Sequence, residues 1–379
     1  MHPVVFAAVA WKRTCTPDFG GYACRFLAIQ YAAPTAFRQD LETEVSAYFV
    51  RQGGSRQGGY ALWLKTAILG IWLVGSYGVL VFVAKQPWQI LLAAASLACA
   101  MAGIGFNVQH DGGHRSYAAS STVNRGMAFS LDLMGGSSYF WRYKHGIAHH
   151  GYPNISGSDD DVYLGALGRL TPHDRRYWFH RFQHLYVWLL YALLAIKWQL
   201  LDDFRSIIRP GVADTKVPRP ERGEYLLFWF GKLFFFGFAL VLPMFFHPWQ
   251  GVAIVFLFTG AILGLLLGVV FQLAHCLGEA AFAKPPLPGQ IMERDWATHQ
   301  VESTVDFGRH NALLTWFVGG LNFQIEHHLF PRVCHTHYPA LSPIVERVCL
   351  SHGVHYTAHT TASAALGSHY RWLRHLGQA

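Results

Sequence analysis

Four long apolar stretches constrain the fold of this chain more than any other feature of its sequence. They cover residues 66–84, 90–108, 225–246 and 252–273, and the first two hold no formal charge. A helix rises 1.5 Å per residue, so about 19 residues reach roughly 28 Å, close to the ~30 Å hydrocarbon core of a bilayer. Charged residues make up only 14 % of the chain, against about 25 % in soluble proteins. The sequence therefore predicts an all-α integral membrane protein with four transmembrane helices.

The four predicted spans form two hairpins whose ends face one side of the membrane. Only residues 85–89 and 247–250 separate the helices within each pair, and Trp88 and Trp249 suit the headgroup boundary. Nearly all Lys and Arg residues lie outside these two short loops. The positive-inside rule therefore places both termini and the central segment in the cytoplasm. Lys232, the one charge within a predicted span, is expected to snorkel to the interface.

The segments outside the spans divide into a tail and a helical cap. Residues 1–36 have no clear pattern and no convincing signal peptide, while residues 37–379 are predicted to form the functional domain. Apolar residues recur at helical spacing after residue 36 and predict an amphipathic helix that could lie on the membrane. These residues are Phe37, Leu41, Val45, Tyr48 and Phe49.

Two further features bear on the surroundings of the chain. The run Leu185–Ile196 is too short to span a bilayer and predicts an interfacial or buried helix. The net charge of +8 suits either nucleic acid or an anionic membrane surface. The apolar composition favours the membrane and argues against nucleic acid as a partner.

Histidine is the anomaly of the composition, with 22 residues, as many as Asp and Glu combined. Three dense clusters lie on the predicted cytoplasmic side. They read HDGGH (His110, His114), HGIAHH (His145, His149, His150) and QIEHH (Gln324, His327, His328). Residues three or four apart share one face of a helix, so the side chains of each cluster can converge. Because neutral imidazole is a common metal ligand, the three clusters together predict a metal site.

Several further histidines lie outside these three clusters. His275 follows the fourth apolar stretch by two residues and emerges at the same face, and His299 lies in the sequence WATHQ, so both are candidate ligands. The looser C-terminal histidines are predicted to lie at the surface, and a middle series is predicted to lie on a membrane-surface helix. The C-terminal set is His352, His355, His359, His369 and His375, and the middle series is His173, His180 and His184.

The number and type of ligands bear on the metal. Eight or nine histidines exceed the need of one tetrahedral ion, so two ions are the simpler interpretation. Six cysteines stand far apart without a CxxC pair, which argues against thiolate-bound zinc and iron–sulfur clusters. Zinc would suit hydrolysis and iron would suit oxygen chemistry, and spacing alone does not decide between them.

A histidine that binds a metal usually donates its second N–H to a carboxylate. Several acidic residues near the clusters are candidates for this role, although an acidic turn after residue 158 would also be explained by solvation alone. The candidates are Asp111, Asp159, Asp160, Asp161, Asp306 and Glu326.

The clusters resemble the three histidine boxes of the membrane fatty acid desaturases. The flanking sequences LDLMGGSSYFWRYKHGIAHHGYPNISGSDDDV and WFVGGLNFQIEHHLFPRVCHTHYPAL are similar to the front-end branch, of delta-6 or linoleoyl-CoA desaturase type. Gln324 at the start of the third box is the mark of that branch. The resemblance runs from about Phe37 to the end of the chain.

The resemblance implies a di-iron centre that uses O2 and two electrons to place a cis double bond in a fatty acyl chain, carried on CoA or on a lipid. By motif, its iron ligands would be His110, His114, His145, His149, His150, His275, His327 and His328. Gln324 stands where other desaturases place a ninth histidine. Whether it binds iron directly, holds a water or yields to His299 stays open.

The electron donor is expected to be a separate protein. Many front-end desaturases carry a fused cytochrome b5 domain with an HPGG haem motif, and this sequence contains no HPGG. Ferredoxin or free cytochrome b5 is the donor that the resemblance implies. Tyr139, Phe140 and Trp141, just before the second box, are candidate walls of a substrate tunnel, with ordinary aromatic packing as the alternative.

Rival functions share part of these features. An acyl or sphingolipid hydroxylase, or a carotenoid oxygenase, would use the same histidine boxes and the same iron chemistry. A zinc-dependent membrane hydrolase would use the histidines without oxygen. A transporter is the least favoured class, because the clusters fall outside the predicted spans and not at the bilayer midplane.

Overall fold

A computed structural model describes residues 29–209, 211, 217–287 and 290–379, so most of the predicted tail lies outside the described residues. The described chain is almost entirely helical, as the sequence predicts. Its main helices are α1 (Ala36–Arg51), α2 (Gly59–Val83), α3 (Pro87–His114), α4 (Ser121–Leu133), α5 (Ser138–Tyr143), α6 (Trp178–Ala192), α7 (Leu194–Ile208), α8 (Arg222–Met244), α9 (Trp249–His275), α10 (Trp296–Glu302), α11 (Ala312–Phe317), α12 (Gln324–Leu329), α13 (Tyr338–Ser351) and α14 (Ala362–Gln378). Two short strands, β1 (Asp306–Phe307) and β2 (Ala358–His359), pair in parallel.

Four helices of the described residues, α2, α3, α8 and α9, are long and apolar enough to cross a membrane, which confirms the predicted number. Polar residues at their ends extend α2, α3 and α9 beyond the apolar stretches. Helix α3 continues through the whole first histidine cluster. His110 and His114 therefore lie on the end of a membrane-spanning helix and not in a segment after it.

Helices α6 and α7 form a bent pair and not the single interfacial or buried helix expected for Leu185–Ile196. Their axes differ by 50°. The start of α6 lies beside α14, because the backbone of His180 faces Gly377. Helix α14 also contacts the end of α9, through the carbonyl oxygen of Cys276. The end of α7 shares an apolar cluster with Ala148 of the second histidine cluster. Both ends of the pair thus return to the histidine side, so the pair is re-entrant.

A stripe of glycines on α9 lets the bent pair approach closely. Gly260, Gly264 and Gly268 follow one another at intervals of four, and a Cβ atom at Gly264 would lie 2.5 Å from the carbonyl oxygen of Ala192. Small residues at such crossings let helix backbones pack in a membrane, where the hydrophobic effect gives little drive. At 1.5 Å per residue, the segment from Gly264 to His275 places the bend roughly 16 Å from the histidine end of α9.

Lys232 does not snorkel to the interface, so that prediction is wrong. Its side chain is buried, and its ammonium donates to Asp203 Oδ2 at 2.7 Å and to the carbonyl oxygen of Gly135 at 2.6 Å. A charge at membrane depth needs such partners, because an unpaired buried charge costs several kcal/mol. The ion pair instead fastens α7 to the membrane-spanning helix α8.

Helix α1 packs on protein and not on the membrane surface. Its apolar face is the predicted one, but Phe37, Leu41 and Val45 are buried in one core with Leu329 of α12 and Tyr338 of α13. Because α12 carries the third histidine cluster, α1 belongs to the helical cap that covers the candidate site. Burial of this face in the cap removes the apolar area that would have bound the membrane.

We predict that Gly264→Ala lowers the stability of the protein by about 1–3 kcal/mol, because the added methyl group overlaps the backbone of Ala192. The measurement is the thermal unfolding midpoint in detergent. Gly251→Ala on the same helix is the matched control, since a Cβ there meets no atom within 4 Å. Equal midpoints for the two variants would show that the close crossing of α9 with the bent pair does not contribute to stability.

Candidate metal centre

Eight imidazoles from four parts of the chain converge at the histidine ends of α3 and α9. The first cluster supplies two from the end of α3, and the second supplies three from a π-helical turn, Lys144–His149, and the residue after it. Helix α9 supplies its last residue, and α12 supplies two. These residues are His110, His114, His145, His149, His150, His275, His327 and His328, and all eight are buried.

Four of these imidazoles form a first group. His110 and His114 lie one turn apart, with ring centroids at 4.7 Å, as the helical spacing predicts. His327 comes from the other end of the chain and lies 4.5 Å from His110. One ring nitrogen from each of these three and from His145 all lie within 4.8 Å of one another. The four nitrogens are therefore close enough to share one ion.

The π-helical turn changes how the second cluster presents its histidines. A π-turn places residues five apart on one face, whereas an α-helix does this for residues four apart. His145 Nε2 accordingly lies 3.3 Å from His150 Nε2. His149 stays near His145, with ring centroids at 5.0 Å, but its Nε2 points toward α9 and α12. The turn thus divides its histidines between two groups.

His149, His275 and His328 form the second group, with one ring nitrogen from each within 4.8 Å of the others. His149 Nδ1 donates to Asp159 Oδ2 at 2.9 Å, and His328 Nδ1 donates to Gln300 Oε1 at 2.9 Å. In a neutral imidazole with a protonated Nδ1, Nε2 carries a lone pair. The two Nε2 atoms lie 3.2 Å apart, so two lone pairs face each other when both rings are neutral.

The first group shows the same pattern. His145 Nδ1 donates to Asp161 Oδ2 at 3.1 Å, which leaves a lone pair on Nε2, the atom that faces His150. Among the described residues, the buried Nε2 atoms of His110, His114 and His327 have no hydrogen-bond partner. Buried polar atoms are normally paired, so a cluster of nitrogens without partners favours a cation between the rings. The donor set therefore fits metal ions.

The charge states of the imidazoles agree with ligation. Burial and the neighbouring histidines hold the pKa values of His150, His327 and His328 well below the ordinary range, so these rings are neutral. Burial also lowers the pKa of His149, but the Asp159 and Asp161 carboxylates outweigh it and raise the pKa above its usual value. A more basic imidazole is a stronger ligand once a metal ion replaces the proton.

The acidic residues named from the sequence have different surroundings. Asp159 and Asp161 each accept an N–H from a histidine of the second cluster, while Asp160 lies half-buried in the short helix that joins them. Asp111 pairs instead with His335 Nδ1 at 2.8 Å, outside the eight imidazoles. Asp306 and Glu326 both lie within hydrogen-bond distance of the Tyr356 hydroxyl group.

Gln324 and His299 differ in their positions. Gln324 is buried at the first position of α12, one turn before His327 and His328. His299 is also buried, but its Nε2 lies 2.9 Å from the carbonyl oxygen of Pro153, and its ring packs against Tyr31. His299 Nε2 is therefore already bonded to backbone, and the ring lies outside the two groups of converging nitrogens.

The three aromatic residues before the second cluster are all buried, and only one contacts the imidazoles. Trp141 stacks on His145 with ring centroids at 4.7 Å and lies edge-on to His114 at 5.3 Å. Tyr139 donates its hydroxyl to the carbonyl oxygen of Pro218, and Phe140 packs on Phe228. Trp141 therefore covers the first group of nitrogens, and the other two support α5.

Some histidines predicted at the surface are buried. His369 contacts the carbonyl oxygen of Cys276 at 2.6 Å and the Tyr191 hydroxyl at 3.0 Å, because α14 packs on the end of α9. His180 is buried at the start of α6, with its Nε2 at 2.9 Å from the carbonyl oxygen of Ala166. The other members of both series are exposed or half-buried, as expected. They are His173, His184, His352, His355, His359 and His375.

Two supporting residues were missed by the sequence analysis. Gln300 fixes His328 by accepting its Nδ1–H, and the Tyr338 hydroxyl lies 3.2 Å from His327 Nδ1. Neither lies in a histidine cluster, and the residues of each pair come from different helices. The one signal in the sequence was that Gln300 adjoins His299 in the segment WATHQ.

The fold and the centre together define a class of protein: a helical membrane protein with a buried polyhistidine site able to hold metal ions. The family model for fatty acid desaturases matches residues 86–360. The chain therefore belongs to the fatty acid desaturase family, and it is an oxidoreductase that desaturates fatty acyl chains. The hydroxylase and hydrolase alternatives are not favoured by this match.

Relatives of known name agree with the family. An sn-1 linoleoyl-lipid 6-desaturase of Arthrospira platensis is 34 % identical over 351 residues, covering 91 % of this chain and 94 % of the relative. Another, from Synechocystis sp., is 33 % identical and covers 93 % of this chain and 98 % of the relative. An acyl-lipid (8-3)-desaturase of Physcomitrium patens is 37 % identical over 73 % of this chain and 58 % of the relative. These relatives support the predicted front-end branch.

We predict that Gly113→Ala destabilises the protein by about 1–3 kcal/mol, because a Cβ at Gly113 overlaps the six-membered ring of Trp141. Trp141→Phe in the same chain should recover part of the loss, since the smaller ring frees that space. Thermal unfolding midpoints of the single and double variants measure the coupling. Gly146→Ala, where a Cβ meets no atom within 4 Å, should stay close to wild type. If the changes in midpoint caused by Gly113→Ala and Trp141→Phe simply add, the two positions are not in close contact.

Proposed function

We propose that this protein is an oxygen-dependent, di-iron acyl-lipid desaturase. The observation that carries the proposal is the convergence of buried ring nitrogens from His149, His275 and His328 within 4.8 Å of one another, with the Nε2 atoms of His149 and His328 3.2 Å apart. Such an arrangement suits a cation between the rings. The family supplies the choice of iron, because desaturation is an oxidation and zinc has no redox chemistry.

The proposed ligands divide between two ions. His110, His114, His145 and His327 would hold the first ion, and His149, His275 and His328 would hold the second. His150 would stand between them, because its nitrogen also groups with those of His327 and His328. Gln324, at the start of α12, would ligate weakly or hold a water through its amide. His299 is left out of the set, since its Nε2 contacts the Pro153 carbonyl oxygen.

When bound, the irons would supply the oxidation of an unactivated methylene pair with O2, which side-chain acids and bases cannot perform. The protein's own residues would hold and orient the ligands. Asp159 and Asp161 keep the proton of His149 and His145 on Nδ1, so that each Nε2 faces inward. Trp141, which covers the first group of nitrogens, would exclude water and form part of the wall along the acyl chain. Tyr139 and Phe140 would support it from α5.

The proposed substrate is a fatty acyl chain esterified in a membrane lipid. Two relatives that match almost along their whole length are named as sn-1 linoleoyl-lipid 6-desaturases. We therefore propose a linoleoyl-type chain as substrate and a new cis double bond at carbon 6. An acyl-lipid would reach the site from the bilayer, along the exposed apolar faces of the spans. Its electrons would come from a separate ferredoxin or cytochrome b5.

The proposed domain covers residues 37–379, with residues 1–36 as a tail whose described end contacts the domain, at Tyr31 with His299 and at Thr35 with Asp295. The family model supports this from residue 86, and the burial of Phe37 and Leu41 in the cap supports the inclusion of α1. The relatives match more than nine-tenths of the chain.

We further propose that the histidine centre lies on the cytoplasmic face. The support is the distribution of Lys and Arg, because only Lys85 of the 30 such residues lies in the loops at residues 85–89 and 247–250. A topology reporter inserted after Gln86 should report the external side, and one at the C-terminus should report the cytoplasm. The same location for both reporters would contradict a chain that crosses the membrane four times with both termini inside.

The central test is metal content together with product. Purified wild-type protein should contain iron as its main metal, and a host fed linoleate should accumulate the product with an additional double bond. His149→Ala and His110→Ala should each lose at least about ten-fold in activity and in affinity for the ion whose ligand is removed. His359→Ala is the matched control and should behave as wild type, since this histidine lies near Glu279, outside the eight imidazoles.

Three outcomes would contradict the proposal, each in a different way. Zinc as the main metal of active protein, with no oxygen consumed, would favour the hydrolase. A hydroxylated fatty acid as the main product would favour the hydroxylase. Wild-type activity in His149→Ala would remove that residue from the ligand set. Analysis of the fatty acids by mass spectrometry, on lipid and CoA fractions separately, also tells the acyl-lipid substrate from acyl-CoA.

A further inference from the structure

Asn154 lies four residues after the second histidine cluster and is completely buried. Its backbone has φ 56°, in the left-handed region that few residues other than glycine and asparagine adopt. Such a conformation persists only where the surroundings hold it. The hydrogen bonds of Asn154 show which segments this left-handed residue connects.

The amide of Asn154 joins three separate segments. Its Nδ2 lies 3.0 Å from the carbonyl oxygen of His275, 3.1 Å from that of Ala281 and 3.0 Å from that of Ser303. An amide group has two N–H donors, so both are used here and one of them is shared between two of the three carbonyl oxygens. One side chain thus fixes the end of α9, the loop that follows it and the end of α10.

The backbone of Asn154 acts on a different histidine. Its N–H donates to Asp159 Oδ2 at 3.0 Å, and the same oxygen accepts the Nδ1–H of His149 at 2.9 Å. The carboxylate is therefore held between Asn154 and His149. The orientation of His149 depends on this carboxylate and, through it, on the left-handed turn at Asn154.

The third segment leads to His328. Ser303 follows the last residue of α10, and both its N–H and its hydroxyl donate to the carbonyl oxygen of His299. Gln300, on the same helix, accepts the Nδ1–H of His328. Asn154 is thus tied to every member of the second group: directly to His275, through Asp159 to His149, and through α10 to His328. These hydrogen bonds of its side chain and backbone N–H, all to described residues, do not reach the first group.

We infer that Asn154 is the positioning residue for one half of the metal centre, the half formed by His149, His275 and His328. This inference rests on the proposed two-ion function. Loss of the amide should loosen the carbonyl oxygens of His275 and Ser303 together, and with them the geometry of the second ion. Partners in the outer shell of metal sites typically change metal affinity by about 10–100-fold. The affinity for one ion should fall by that factor while the affinity for the other stays unchanged.

The test is anaerobic titration of the metal-free, full-length protein with Fe(II), with bound iron and the Mössbauer spectrum as readouts. Asn154→Gly tolerates the left-handed backbone and removes only the amide. It should keep one tight iron and bind the second about 10–100-fold more weakly, and the spectrum should change from that of a coupled pair to that of a single high-spin ion. Asn154→Asp, which keeps the size but presents acceptors to the three carbonyl oxygens, is the second variant if the glycine variant does not fold.

Gln183→Ala is the matched control. Gln183 is also completely buried, and its amide also joins separate segments, by donating to the carbonyl oxygens of Arg169 and Leu373. It should lose stability but titrate with two irons as wild type does. If Asn154→Gly binds both irons as tightly as wild type, or if both weaken equally, the selective role of Asn154 is wrong. If the wild type itself does not bind two irons, the proposed di-iron function fails instead, so the two failures are distinguishable.

Discussion

The structure depends on a set of buried imidazoles whose ring nitrogens converge. His149 Nε2 and His328 Nε2 are 3.2 Å apart, and His145 Nε2 and His150 Nε2 are 3.3 Å apart. The rings of His145, His149 and His328 are held in these orientations through their other nitrogen, Nδ1. Asp159, Asp161 and Gln300 provide that hold by accepting the Nδ1–H groups. The rest of the cap positions these three side chains, Asp159, Asp161 and Gln300, beside the imidazoles.

The membrane-spanning part is subject to a different constraint, the free-energy cost of placing polar groups in the bilayer. The re-entrant pair α6 and α7 is stabilised by close backbone approach at Gly264 and by the buried pair Lys232–Asp203. A buried ion pair gains little net free energy, but removing one partner leaves an uncompensated charge that costs about 3–5 kcal/mol. The Lys232–Asp203 ion pair therefore determines where α7 lies against α8 and adds little to the free energy of unfolding. The position of the re-entrant pair in turn sets the apolar floor beneath the second histidine cluster, at Ala148 and Phe140.

Local irregularities of the backbone determine the orientation of the imidazoles. The π-turn Lys144–His149 sends His145 and His149 toward different groups, which a regular α-helix would not do. The left-handed residue Asn154 then reverses the chain, so that Asp159 returns to His149. Both irregularities lie within one short stretch of sequence, and both are held by contacts to α9 and α10. They explain how three histidines from one cluster divide between two groups of imidazoles.

The sequence by itself determined the four spans, the helical cap and the three histidine clusters, because hydropathy and helical spacing are local properties of the chain. It also determined the family, because the boxes and their flanking residues are contiguous. Only the tertiary structure decided which histidines face one another, since His149 and His328 stand 179 residues apart. It also decided the partner of Lys232, the burial of His369 and the roles of Gln300 and Asn154. Each of these depends on which surfaces of distant helices meet, and the packing of the whole fold sets that choice, not the pattern of any one segment.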